Sequence, residues 1–122
     1  MNKIIFLLLL ILSLLVCVTD IVLCESKIKI KKVVKVDVNL EEQKKLQAEV
    51  DNGHQSWRLD PIDVAFASLI GKNVKHENCS LSSQTNSKAE VICKGTKNYL
   101  VNLKRMIRAD GIWTAVSIEE YK

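Results

Sequence analysis

The run from Ile4 to Val18, apolar except for Ser13, is the feature that most limits what this chain can fold into. Behind the short basic start Met1-Asn2-Lys3, those 15 residues have the make-up of a membrane-targeting segment rather than of a core element. Residues 27–122 are therefore left to build whatever folds. That length allows one domain with one modest core. A core of that size is marginally stable without a staple.

Three readings of the first 26 residues stay open. In the first, a secretory signal peptide is cleaved after Ser26, with Cys24 and Ser26 as the small residues at −3 and −1. Cleavage after Thr19 fits less well. In the second, Cys24 is acylated as in bacterial lipoproteins, although Leu23 stands where a small residue is expected and Val16 does the same before Cys17. In the third, Ile4–Leu23 stays as an anchor of 20 residues, enough to span about 30 Å of hydrocarbon. The lysines that follow would then favour a domain on the cytoplasmic side.

The formal net charge is +4, and its distribution matters more than its sum. Lys27, Lys29, Lys31, Lys32 and Lys35 fall in one stretch without an acid, whereas Val36 onward carries twelve basic and twelve acidic residues. Basic character confined to a stretch beside a membrane segment suits anionic headgroups. It is not the spread basic face of a nucleic-acid binder, and no nucleic-acid partner is expected.

Cys79 and Cys93 are the cysteines outside the targeting segment. They flank a polar stretch, Ser80–Lys88, expected to be a loop between two strands. Strands on either side of such a loop bring two Cβ atoms within disulfide range. With an export signal upstream, the pair reads as a disulfide. Two buried free thiols are the alternative in a reducing compartment. Two cysteines without a second close pair are too few to hold a metal, and nothing in the sequence calls for a cofactor.

Lys27–Val38 alternates with period two, broken at Lys32, and reads as a basic strand or a stalk. Asn39 is placed to cap a helix that Glu41 and Glu42 favour in its first turn and Gly53 ends. Its apolar stripe is thin: Leu40, Leu46 and Val50, with Gln43 and Gln47 between. Asp60-Pro61 opens a second helix, with Val64, Ala65, Phe66, Leu69 and Ile70 as packing residues and Gly71 at its end. Strands are expected over Val74–Cys79, Ala89–Cys93, the alternating Tyr99, Val101 and Leu103, and Ile112–Ile118. Lys94–Lys97 is a turn, and Asp110-Gly111 is a type I′ hairpin signal. The expected fold is α+β, with two N-terminal helices packed on an antiparallel meander of three to five strands. Its organisation is a segment 1–26, a basic strand or stalk 27–38, and a small domain 39–122.

Candidate functional residues concentrate between the helices. Asp51–Pro61 holds His54, Trp57 and Arg58, and Trp57 with Arg58 is a pairing that dominates binding sites. Capping explains Gly53, Asp60 and Pro61 without any ligand, and Trp57 can equally plug a gap between helices and sheet. A His–Asp pair, His54 with Asp51 or Asp60, would suit a small hydrolase, yet no nucleophile in a recognised setting accompanies it. His76, between Lys75 and Glu77, reads as a surface residue. Lys104, Arg105 and Arg108 form an anion-site candidate or the solvated end of a hairpin. Asn78-Cys79-Ser80 is a glycosylation sequon only in a host that uses one.

The blocks Val50-Asp51-Asn52-Gly53-His54-Gln55, Trp57-Arg58-Leu59-Asp60-Pro61, Val64-Ala65 and Gly111-Ile112-Trp113-Thr114 resemble a family of uncharacterised secreted and lipoprotein domains of Gram-positive bacteria. The resemblance spans roughly residues 40–118. It implies an extracytoplasmic domain and carries over no catalytic residue. Leu23 departs from the lipid-anchored members. The sequence thus supports a non-enzymatic module at the cell envelope that binds a protein or peptide partner through His54, Trp57 and Arg58. A hydrolase at His54 and a membrane-anchored cytoplasmic domain stand as alternatives.

Overall fold

The computed structural model describes residues 30–121, with side chains from residue 32 onward. The targeting segment and its cleavage, acylation and anchor readings lie outside the described residues, as do Lys27 and Lys29. Strand β1 (Ile30–Lys35) is followed by helix α1 (Leu40–Asp51), a 3₁₀ turn (Ser56–Leu59) and helix α2 (Pro61–Ser68). Strands β2 (Val74–Gln84), β3 (Lys88–Gly95), β4 (Asn98–Lys104) and β5 (Thr114–Tyr121) complete the chain. All five strands form one antiparallel sheet in the order β1-β5-β4-β3-β2. The class is α+β, as the patterning predicts.

The alternation along β3 and β4 builds the core directly. Cys79, Cys93 and Tyr99 stand in register across β2, β3 and β4, and Val91 faces Val101, which faces Ile118. Ala89, Leu103 and Ala115 form a third row. The residues of these rows from β2, β3 and β4 are buried, together with Val64 and Ala65 of α2 and Leu69 just past its end. The next row on the opposite face, Ile92, Leu100 and Val33, is only partly covered or exposed. Helix packing on one face and solvent on the other is what period-two alternation encodes.

Four expectations need correction. The helices are not N-terminal to the sheet, because β1 precedes both and pairs with β5. The lysines that disturb its pattern are tolerated at a sheet edge, where charge also discourages further pairing. Second, Ser80–Lys88 is not a loop: β2 runs to Gln84, leaving only residues 85–87 to turn. Only Cys79 of β2 is buried, so the polar residues signal an edge strand rather than a loop. Third, Asp110-Gly111 is no two-residue hairpin. Lys104 and Thr114 bound a longer connection, Arg105–Trp113, and Gly111 lacks the positive φ that a type I′ turn needs. Ile112 and Trp113 end that connection, fully buried, instead of alternating along a strand. Fourth, the apolar stripe of α1 does not seat it on the sheet: Leu40 is half exposed and Gln47 is the buried residue of the helix.

Polar side chains hold α1 instead. Gln43, Gln47 and Asp51 recur every fourth residue and so share a helix face. Gln43 Oε1 accepts from Thr114 Oγ1 at 2.9 Å, and Gln47 Oε1 accepts from the buried Ile112 N–H at 2.8 Å. Asp51 takes a two-pronged guanidinium from Arg108, with Nη1–Oδ2 at 2.9 Å and Nη2–Oδ1 at 2.5 Å. Hydrogen bonding to Arg108 is the main cause that holds the Asp51 carboxyl below its usual range, and the same bond raises Arg108. This stripe requires a glycine at 111, where an added Cβ would lie 2.5 Å from Gln47 Oε1 and 3.1 Å from Arg108 O. Gly111→Ala is expected to expel the Gln47 amide and strand the Ile112 N–H, at about 1–3 kcal/mol. Hydrogen exchange would then rise across α1 while β3 and β4 stay protected. Unchanged protection of α1 would show that the polar stripe does not hold it.

A groove between the two helices

Helix α2 lies across the sheet from β2 to β5, mostly over β2, and α1 is held over the start of β5. The gap between them is an open groove of about 270 Å³. Val36, Trp113, Thr114 and Ala115 make its floor, and Gln43 of α1 stands on one side. Val64, Ala67 and Ser68 of α2, with Trp57 and Arg58, close the others.

Local chemistry fixes the Trp57–Arg58 rim. Asp60 caps α2 by accepting from Ile62 N–H at 2.8 Å, with Pro61 in the first turn. The chain before it is forced into a short 3₁₀ turn that opens at Gln55, a non-glycine residue at φ 52°. Gln55 Oε1 accepts from Arg58 Nε at 2.8 Å, and the guanidinium lies 4.4 Å from the Trp57 ring centroid. A cation over an aromatic face is attracted by the ring quadrupole. Arg58 O accepts from Trp113 N–H at 2.9 Å, which ties this turn to the Gly111–Thr114 segment. Two of the blocks singled out in the sequence therefore meet in space. Partial burial is the main cause that lowers the Arg58 pKa, while Glu42 opposes the shift. Among the described residues, no carboxylate forms an ion pair with Arg58, whereas Arg108 reaches both Asp51 and Asp110.

Trp113 is the pivot beneath. It is 1% exposed, and the Arg105 guanidinium stacks on it at 4.3 Å. Arg105 Nη1 donates to Asn86 O at 3.0 Å and Ala109 O at 2.8 Å, pinning the long connection to the β2–β3 turn. Of the basic group Lys104, Arg105 and Arg108, the two arginines thus serve structure, and Lys104 is exposed.

Of the three binding candidates, Trp57 and Arg58 line the groove and His54 does not. His54 sits exposed just past α1, its N–H donating to Glu49 O at 2.9 Å. The carboxylates considered for a hydrolase have other partners: Asp51 binds Arg108 and Gln47, and Asp60 caps α2. The His–Asp pair that forms is His76 with Asp63, Nε2 to Oδ1 at 2.6 Å, with Phe66 edge-on to the imidazole at 5.3 Å. It joins β2 to α2, a contact of sequence separation 13 that no local pattern announces. The polar groove residues missed from sequence are Gln43, Ser68 and Thr114. For Gln43 a signal existed, the four-residue spacing with Gln47 and Asp51.

Cys79 and Cys93 are disulfide-bonded, directly opposite in the β2–β3 ladder with Cα atoms 4.0 Å apart. Among the described residues, no helix is long and apolar enough to cross a membrane, and no three His, Cys, Asp or Glu are grouped to hold a metal. Comparison with protein-family models, with curated proteins and with solved structures yields no match.

Proposed function

We propose that the protein is a non-enzymatic binding module of the cell envelope, and that the groove beneath Trp57 and Arg58 receives a protein or peptide partner. One observation carries this reading: Trp57 remains 38% exposed on the rim of a groove, beside an arginine with no carboxylate partner among the described residues. A Trp whose role was only to plug the core would be covered like Trp113. Aromatic and arginine side chains of this kind concentrate binding energy. The export-type N-terminal segment and the disulfide suit an oxidising, extracytoplasmic setting. The resemblance to secreted and lipoprotein domains points the same way.

Trp57→Ala is the test. The side chain is partly exposed, so the variant is expected to fold with an unchanged circular dichroism spectrum. Affinity for a partner captured from intact cells should fall by ~2 kcal/mol or more, about thirtyfold. Undiminished capture by the folded variant would refute the groove. Unfolding of the variant would instead make Trp57 a structural plug and remove the support for this site.

A further inference from the structure

One end of the sheet gathers several lysines. Ile30 of β1 pairs with Tyr121, and Tyr121 with Asn98, so the chain arrives at the end that carries the β3–β4 turn. Val74 opposite Gly95 brings the α2–β2 connection to that same end. Lys32 and Lys72 line a small cavity of about 90 Å³ with Tyr99 and Glu120, and Lys97 Nζ lies 3.3 Å from Glu120 Oε1. Lys32 and Lys72 thus share a cavity lining with Glu120, Lys97 pairs with it, and Lys75 and Lys94 are exposed close by in the chain. Ile70, two residues before Lys72, is 80% exposed, more than any other large apolar side chain described. Glu119, next to Glu120 on β5, and Glu77 of β2 are further acids near this end, whereas the opposite end mixes the acids of α1 with Lys44, Lys45, Lys88, Lys104, Arg105 and Arg108.

We infer that this end of the domain docks on an anionic lipid surface, with Lys32, Lys72 and Lys97 meeting headgroups and Ile70 entering the interface. Lysines near such a surface each add roughly fivefold to binding. The described chain begins at this end, with Ile30 paired to Tyr121, and in the sequence Lys27, Lys29 and the apolar run precede it. Ile70 decides between lipid and a soluble polyanion. An exposed isoleucine gains from an apolar interface and nothing from a chain of hydrated anions. The inference rests on the envelope reading but not on the groove.

The full chain reconstituted in vesicles gives the test, with lysine acetylation rates read residue by residue by mass spectrometry. Replacing part of the phosphatidylcholine by phosphatidylglycerol should slow labelling of Lys72 and Lys97 several-fold, and leave Lys44 and Lys45 of α1 unchanged. High salt should restore labelling, because screening weakens exposed charge contacts. Ile70→Ser should lose most of the protection, whereas Trp57→Ala should keep it, which separates this surface from the groove. Equal labelling in both kinds of vesicle would overturn the inference. So would protection that dextran sulfate reproduces on phosphatidylcholine vesicles and that Ile70→Ser leaves intact, a result that identifies a soluble polyanion instead.

Discussion

Trp113→Ala is expected to lower stability by about 3–5 kcal/mol, in the range found for emptying a buried aromatic site. Trp113 is among the largest fully buried side chains, and three features converge on it. Its indole is the stacking surface for Arg105, its backbone N–H bonds Arg58 O, and its neighbour Ile112 bonds Gln47. Removing the ring should therefore loosen the 3₁₀ turn and α1 along with the core. Denaturant titration gives the loss directly. A shift below about 1 kcal/mol, the central value for an average substitution, would mean that Trp113 is not the pivot of the groove.

Breaking the Cys79–Cys93 bridge is the second large effect. Both half-cystines are at least nine-tenths buried and the closed loop is short, with a separation of 14 residues. The chain-entropy relation gives ~3 kcal/mol for a loop of that size, within a usual range of about 2–4. Each kcal/mol corresponds to ~4–8 °C in Tm for a domain of under a hundred residues. Cys79→Ala with Cys93→Ala, or reduction of the wild type, should lower Tm by at least that much. Thiol titration after denaturation, without reductant, checks the premise. Two reactive thiols from the folded domain would remove the bridge and favour the cytoplasmic reading of the N-terminal segment.

What sequence could reveal depended on the range of the signal. The cap at Asn39, the terminator Gly53, the Asp60-Pro61 start of α2 and the inward-facing Tyr99, Val101 and Leu103 are local, and each appears where its chemistry requires. The disulfide followed from having two cysteines on neighbouring strands. Failures came where a local rule met a long-range contact. Asp110-Gly111 has hairpin chemistry, but the close approach of Gln47, not turn geometry, requires the glycine at 111. Ser80–Gln84 is polar because it lies on an edge strand, and edge position depends on strand order, which no window of sequence contains. Helix α1 looked poorly amphipathic because its docking face is amide and carboxylate. Trp57 and Arg58 stood out as candidate anchors by residue type alone. That they share a groove with Val36, Thr114 and Ser68 was not legible, since the fold brings those residues together from four separate segments.

The most direct measurement is site-specific photocrosslinking in intact cells that produce the protein. A photoreactive residue at Ser68, on the groove wall, is compared with one at Lys88, exposed at the start of β3. The account predicts one discrete adduct from position 68, absent from position 88 and lost when Trp57→Ala is added. No adduct at 68, or the same adducts from both positions whether or not Trp57 is present, would contradict a binding groove between the helices.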